Sequence, residues 1–85
     1  MIDVIYKYMA NRDGIYRVPK GDVVLVAYQD TTQPFPTVWV RHKPQAPLAV
    51  ELQVYGTGFP IPEDWRSVGS AVCGHLVWHV VEEQA

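Results

Sequence analysis

Hydrophobic and polar side chains alternate with a period of two in several segments of this chain, which is the pattern of β-strands that bury one face. The alternating runs are residues 2–8, 37–42 and 49–55, and shorter or weaker strand signals occupy residues 15–18 and 66–72. Two further runs, residues 23–28 and 75–82, are nearly continuous in valine, leucine and aromatic side chains, as in strands covered on both faces. The pattern therefore predicts seven short strands, with residues 23–28 and 76–81 at the centre of the fold.

Turn-forming residues separate the predicted strands at short intervals. Asp13-Gly14 suits a tight hairpin because glycine accepts a positive φ, and Pro19 ends the second strand. The segment 56–62 contains two glycines and two prolines, which predicts a loop of defined shape folded over one end of the domain. Residues 63–65 could form one helical turn, and no apolar pattern indicates a longer helix.

The frequent turns and the lack of an amphipathic helix together favour an all-β fold class. We expect a small antiparallel sandwich or a partly open barrel of about six or seven short strands, with at most one short helical turn. The 85 residues have the length of one domain, so residues 1–85 are expected to form a single β domain.

His75 and His79 are four residues apart in the last predicted strand. In a helix this spacing could hold one metal ion, but in a strand the two residues are about 13 Å apart, at roughly 3.3 Å per residue. That distance is too long for one ion whose ligands lie at about 2.1 Å. We therefore predict no metal site from this pair. Two interpretations stay open: half-buried structural histidines, or a site completed by His42 or by a second copy.

Cys73 is the only cysteine, which excludes an internal disulfide and a cysteine-rich zinc site. Cys73 and His75 could face the same way, yet their backbones are about 6.5 Å apart on a strand, whereas a nucleophile and its base need about 3 Å between reacting atoms. No acidic residue or anion-stabilising group accompanies them. We predict a buried cysteine, no catalytic residue and no enzymatic activity.

The Gly56-Thr57-Gly58 segment is similar to a phosphate-binding loop in its glycine content only. Such loops bind anions because successive backbone N–H groups point at the phosphate, usually at the start of a helix. Here Phe59 and two prolines follow, and proline has no N–H group to offer. A turn that redirects the chain is the favoured interpretation, and a ligand-binding loop is the alternative.

Aromatic side chains accompany polar ones on several predicted strand faces and in the loop. Such faces serve as anchors in protein interfaces or as stacking surfaces for a base, or they form a second small core beneath the loop. Arg41 and Arg66 could then hold an anionic group of a ligand. The predicted ligand- or partner-binding residues are Trp39, Arg41, Tyr55, Gly56, Thr57, Gly58, Phe59, Trp65 and Arg66.

Composition and charge limit the partners of this chain. At 48% hydrophobic and 19% charged residues it is more apolar than an average soluble domain, so some apolar side chains are expected at an interface. The net charge of −2 and the lack of a basic run argue against binding to duplex nucleic acid. The lack of an apolar run of about 18 residues, with an acidic residue at position 3, argues against a membrane span or signal peptide. A cytoplasmic protein is expected.

Four segments carry a family resemblance, in order along the chain. They are residues 4–8 (VIYKY), 18–24 (VPKGDVV), 55–62 (YGTGFPIP) and 76–82 (LVWHVVE). They resemble a family of short, mostly phage-encoded proteins without an assigned function, in which an aromatic residue often stands where this chain has Val81. The resemblance implies a small phage protein made in the bacterial cytoplasm, and it implies no catalytic residue and no cofactor.

These observations lead to two functional hypotheses. The first is a non-enzymatic phage-type protein that binds a host or phage protein and self-associates as a homo-oligomer, because open strand edges and surplus apolar residues both favour pairing. The second is a small-ligand binder, for instance a sponge for a nucleotide signal, that uses residues 56–58 and the nearby aromatic side chains.

Overall fold

The computed structural model of the chain describes residues 2–29 and 33–83, and within them it contains seven strands and no helix. The strands are β1 (Val4–Tyr8), β2 (Ile15–Pro19), β3 (Asp22–Ala27), β4 (Thr37–His42), β5 (Leu48–Gly56), β6 (Trp65–Cys73) and β7 (Leu76–Glu83). These positions confirm the seven predicted strands. Residues 63–65 are not a helical turn: the Trp65 amide donates to the Pro62 carbonyl at 3.1 Å in a simple turn, and Trp65 already begins β6.

All strand pairs are antiparallel, and they form two sheets. The three-stranded sheet has the order β1-β4-β3, and the four-stranded sheet has the order β2-β5-β7-β6. The two sheets face each other across one core and do not close into a barrel. The prediction of a small antiparallel sandwich is therefore confirmed.

The core lies between the sheets and is made mainly of valine side chains from both of them. Its buried members are Tyr16, Val18, Val26, Val38, Val40, Leu52, Ala71 and Val80. Tyr16 is the largest of these side chains, and its hydroxyl donates to the Pro36 carbonyl at 2.6 Å. Burial, with a smaller contribution from Tyr28, raises the pKa of Tyr16 because it disfavours the phenolate. The alternating runs bury one face because successive side chains of a strand point in opposite directions.

The prediction that residues 23–28 lie at the centre is wrong. Strand β3 is an edge of the three-stranded sheet, and Val24 and Leu25 are about half exposed, at 48% and 50%. A bulge between Val23 and Leu25 shifts the register of β3 against β4. The apolar side chains of this run therefore do not all face the core. The corresponding prediction for the last strand is confirmed, because β7 lies between β5 and β6 and buries both Val80 and Val81.

Within residues 2–29 and 33–83, no helix has the length and apolar character needed to cross a membrane.

Candidate functional site

The nine residues predicted as ligand or partner contacts lie on two separate surfaces. Trp39 and Arg41 alternate with the buried residues of β4, so they lie on the outer face of the three-stranded sheet. The other seven belong to the four-stranded sheet and the loop that joins β5 to β6: Tyr55, Gly56, Thr57, Gly58, Phe59, Trp65 and Arg66. The fold therefore does not bring the predicted aromatic residues into one site.

The outer face of the three-stranded sheet carries an apolar surface, here called the Trp39 face and defined by Ile5, Leu25 and Trp39. Trp39 lies in the central strand and is paired in register with Lys7 on one side and Leu25 on the other. Ile5 is 55% exposed and Leu25 is 50% exposed, while Trp39 is half-buried. A tryptophan flanked by exposed aliphatic side chains is typical of the centre of a protein interface.

Charged side chains border the Trp39 face. Arg41 contacts Asp3 through its Nε at 3.1 Å, and Lys43 contacts the same carboxylate at 2.6 Å. The hydrogen bond from Lys43, assisted by Arg41, lowers the pKa of Asp3. Lys7 donates to the neutral Gln29 amide at 3.0 Å. Arg41 is thus held by a carboxylate of its own chain, which weakens the expectation that it binds an anionic ligand.

A cleft of about 290 Å³ lies between the β5–β6 loop and the β6–β7 turn. Its lining residues are Gly56, Thr57, Phe59, His75, Leu76, Val77 and Trp78. The loop is closed by the Phe59 amide, which donates to the Gly56 carbonyl at 3.2 Å. A Cβ atom at position 56 would stand 3.2 Å from the Phe59 ring, so glycine lets that ring lie close to the strand end. Phe59 itself stays 68% exposed.

Arg66 does not line this cleft. Its guanidinium donates to the Glu82 carboxylate at 2.9 Å and 3.2 Å across the β6–β7 pair. An arginine that is held by two hydrogen bonds to one carboxylate is not free to bind a ligand phosphate without breaking that pair. The predicted combination of the Gly56–Gly58 loop with the arginines is therefore not assembled in this structure.

Tyr55 lies in a chain of polar side chains on the outer face of the four-stranded sheet. Its hydroxyl donates to Gln53 at 2.9 Å, and the Gln53 amide donates to Glu51 at 3.0 Å. Val81 faces the same side and is paired in register with Gln53, yet it is only 1% exposed. Val81 is thus a buried packing residue on this face.

His79 forms a hydrogen-bonded group that the sequence did not reveal. The Thr57 hydroxyl is 3.3 Å from the Val77 carbonyl, to which it donates its only proton, and 2.8 Å from His79 Nε2. We therefore assign the ring proton to Nε2, which donates to Thr57. His79 Nδ1 then accepts from the Ser70 hydroxyl at 2.8 Å. Together with a 3.2 Å bond from the Thr57 amide to the Val77 carbonyl, these contacts hold the loop against β7.

The chemistry available to Ser70 and His79 is limited by Thr57, the third residue of this hydrogen-bonded group. A serine that donates to an imidazole is one half of a nucleophilic pair, and such pairs are completed by a carboxylate on the other ring nitrogen. Here that nitrogen bonds to the neutral hydroxyl of Thr57, and Ser70 lies on an open sheet face. The partners of His79 come from β6 and the β5–β6 loop, so only the pairing of the strands could have identified them.

His42 lies in the other sheet, so it does not complete a site with His75 or His79. It is buried at 5% exposure, its Nδ1 donates to the Lys43 carbonyl at 2.7 Å, and its Nε2 is 2.7 Å from the Tyr8 hydroxyl. Burial raises the pKa of Tyr8. His42 is thus a structural histidine with both ring nitrogens bonded.

The loop end of the sandwich holds Tyr28, Cys73 and Trp78. The Trp78 ring packs edge-on against Phe35 with ring centres 5.5 Å apart, and its buried indole N–H has no hydrogen-bond partner among residues 2–29 and 33–83. Burial, together with the neighbouring Cys73 thiol, raises the pKa of Tyr28. Cys73 is half-buried rather than fully buried.

Within the described ranges, no group of three or more His, Cys, Asp or Glu side chains is placed to hold a metal ion. Comparison with known proteins gives one family: residues 1–85 match the family described as "Domain of unknown function (DUF7352)". No curated protein and no solved structure matches the chain. Because the match covers the whole chain, this protein belongs to the DUF7352 family of domains of unknown function.

Proposed function

We propose that this protein is a non-enzymatic, phage-type binding module whose partner is a host or phage protein, and that the partner docks on the Trp39 face. The observation that carries the proposal is the exposure of Ile5 and Leu25 beside the half-buried Trp39, on the outer face of the three-stranded sheet. Burial of apolar surface is favourable by roughly 25 cal/mol per Å², so covering these side chains would stabilise a complex.

The form and charge of the Trp39 face support a protein partner. A sheet face is broad and gently twisted, which suits another protein surface better than a small ligand in a concave pocket. Lys7 stands beside Trp39 and bonds to the neutral Gln29 amide, so a carboxylate on the partner could replace that contact. We therefore expect the partner to offer an apolar patch bordered by acidic residues.

Sequence resemblance supports the phage assignment, which rests on residues 4–8, 18–24, 55–62 and 76–82. The non-enzymatic assignment is supported by the neutral third member of the His79 group. Self-association belongs to the same proposal, since the two sheets leave open strand edges and the chain has more apolar residues than one small core can bury. A cytoplasmic location is part of this proposal.

Two matched leucine substitutions test the proposed face. Leu25 lies on the Trp39 face at 50% exposure, and Leu48 begins β5 of the other sheet at 58% exposure. We expect Leu25→Lys to weaken partner binding by about tenfold or more, because it places a charge in the apolar contact, and Leu48→Lys to leave it unchanged. Partners captured by the tagged wild-type chain from the natural host would be purified. Their dissociation constants would then be measured with the wild type, Leu25→Lys and Leu48→Lys.

Equal loss of affinity in both lysine variants, or none in Leu25→Lys, would contradict the role of the Trp39 face. If purified candidates show no direct binding to the wild-type chain, the protein-binding function itself is contradicted.

The second candidate function is a small-ligand binder, and the cleft lined by Phe59 and Trp78 favours it. Its volume of about 290 Å³ is at the lower end for ligand pockets, and two aromatic rings could stack on a base. The cleft is less suited to a nucleotide phosphate, because Arg66 is paired with Glu82 and Arg41 lies on the other sheet. A thermal-shift panel of nucleotides and cyclic nucleotides tests it: stabilisation that disappears in Phe59→Ala supports the ligand function, and no stabilisation across the panel contradicts it.

A further inference from the structure

We infer that the open edge of β6 pairs with the same edge of a second copy of this chain, which gives a symmetric dimer with one continuous sheet. This dimer rests on the self-association proposed above and deepens it, because it names the strand that forms the contact. The occupant of the edge is a second copy, and the contact is made chiefly by backbone hydrogen bonds.

The four edge strands of the sandwich differ in how they are protected. Natural proteins prevent unwanted pairing at sheet edges with charged residues, prolines and bulges. Three edges have such features: Lys7 in β1, Arg17 and Pro19 in β2, and Asp22 with a bulge in β3. In β6 the charged residue Arg66 and a bulge occupy only the first half of the strand. The second half, residues 69–73, is regular and uncharged.

The lack of charge continues through the whole β6–β7 hairpin. No Asp, Glu, Lys or Arg lies between Arg66 and Glu82, and these two residues pair with each other at the base of the hairpin. Near its end, Val72 is 70% exposed and Leu76 is 58% exposed. An exposed, uncharged strand segment of this kind is a template for another strand.

The turn at the end of the hairpin determines which backbone groups face the open edge. Gly74 and His75 connect the paired residues Cys73 and Leu76, and Gly74 has a φ of 59° while His75 has a negative φ. This is the form of a two-residue type II′ turn, whose flanking residues bond to each other across the hairpin. The N–H and C=O groups of Cys73 therefore point to β7, and those of Val72 point to the open edge.

The same alternation leaves Ser70 with outward-facing N–H and C=O groups, because Ser70 is two residues from Val72. An antiparallel pairing with its two-fold axis at Ala71 places Ser70 of one copy opposite Val72 of the other. Both members of each pair then offer their free backbone groups to each other, so the edge is complementary to itself. No charged residue meets a like charge in this register, since Arg66 lies outside the paired segment and is held by Glu82.

The paired segment is short, which limits the strength of the dimer. A stable protein interface commonly buries about 1,600 Å² in total, and one short edge with Val72 and its neighbours covers less than that. We therefore expect a dimer that dissociates on dilution.

Two substitutions at one position separate the backbone contact from the side-chain contact. Val72→Pro removes an N–H that faces the open edge, so it should weaken pairing without removing a bond to β7. Val72→Thr keeps the N–H and nearly the same shape. In sedimentation equilibrium over a wide concentration range, we expect the wild type and Val72→Thr to form dimers, and Val72→Pro to have a dissociation constant raised by about tenfold or more.

A second measurement applies if Val72→Pro fails to fold. In an equimolar mixture of isotope-labelled and unlabelled wild-type chains, we expect an intermolecular contact between the α-protons of Ala71 in the two copies, as residues directly opposite in a non-hydrogen-bonded antiparallel pair approach closely. A wild-type chain that is monomeric at every concentration overturns the proposal. A dimer without the Ala71 contact, or a folded Val72→Pro variant that dimerises normally, overturns it as well.

The Leu25→Lys variant distinguishes this dimer from the proposed partner binding. We expect Leu25→Lys to dimerise like the wild type, and folded Val72→Pro to bind the partner protein like the wild type. Hydrogen exchange of the β6 amides tests the occupant of the edge. If these amides become protected from exchange only when another protein is added, the edge binds an extended segment of that protein, and the second-copy assignment is wrong.

Discussion

Tyr16 shows how one polar atom is accommodated between the two sheets. The side chain is fully buried, and its hydroxyl donates to the Pro36 carbonyl at 2.6 Å. Pro36 is itself buried, so this carbonyl has little access to water. The hydrogen bond therefore compensates for the loss of hydration of two polar groups, one from β2 and one from the segment before β4.

Replacing Tyr16 with phenylalanine tests this account at the residue scale. We expect Tyr16→Phe to lower the free energy of unfolding by about 1–2 kcal/mol at neutral pH, because the Pro36 carbonyl is left without a donor while the ring still fills its space. Urea unfolding followed by tryptophan fluorescence measures the change. A variant as stable as the wild type would contradict the contribution of this hydrogen bond.

The same residue predicts a loss of stability at alkaline pH. Burial raises the pKa of Tyr16 above its value of 10.0 in the unfolded chain, so the folded state keeps a proton that the unfolded state releases. The stabilisation is complete below the unfolded pKa and declines as the pH rises above it. Tyr8 and Tyr28 shift in the same direction. Urea unfolding at a series of pH values above about 9 should show this decline, with a shallower slope in Tyr16→Phe.

At the scale of elements, the two sheets approach most closely where β3 crosses β6. A Cβ atom at Gly69 would lie 2.4 Å from a methyl carbon of Val26, which is shorter than any real contact. Gly69 immediately follows the bulge in β6, where two residues of one strand face one residue of the other. The lack of a side chain at this position is thus what allows β3 and β6 to pack so closely against each other.

A double-mutant cycle tests this close approach. We expect Gly69→Ala to destabilise the fold by about 1–3 kcal/mol, because the added methyl group forces β3 and β6 apart. Val26→Ala removes the methyl group that would clash, so the double variant should be more stable than the sum of the two single changes predicts, by about 1 kcal/mol or more. Additive effects in chemical denaturation would show that Gly69 is not required for this contact.

At the scale of the whole molecule, both sheets depend on a single core. Val38 and Val40 of the three-stranded sheet and Leu52 and Val80 of the four-stranded sheet are all almost completely buried in it. In the described part of the chain, the inner face of each sheet is covered only by the other sheet. We therefore expect the two sheets to unfold together in one transition, as small single domains commonly do.

Truncation of one core residue tests this cooperativity. Val38→Ala removes two methyl groups from the central strand of the three-stranded sheet, and we expect a loss of roughly 2 kcal/mol in the free energy of unfolding. Native-state hydrogen exchange of amides in β4 and in β7 should show the same loss of protection. A loss confined to β4 would mean that the sheets open independently.

Most of the fold followed from local patterns in the sequence, and the wrong position predicted for β3 has a clear cause. The alternation in residues 49–55 predicted β5 because the side-chain period of a strand is a property of the backbone itself. The apolar run at residues 23–28 predicted a central strand, but β3 is at an edge. An apolar run indicates a strand without indicating its neighbours, and the bulge in β3 depends on how it pairs with β4.

The candidate sites depended far more on tertiary structure. The sequence by itself determined the fold class, the strand positions and the presence of apolar and aromatic residues in excess of one small core. Only the tertiary structure decided that Trp39 and Phe59 lie on different surfaces, that Arg66 forms an ion pair with Glu82, and that His79 bonds to Ser70 and Thr57. The reason is physical: strand formation depends on neighbours in the chain, whereas contacts between side chains depend on sheet order and register.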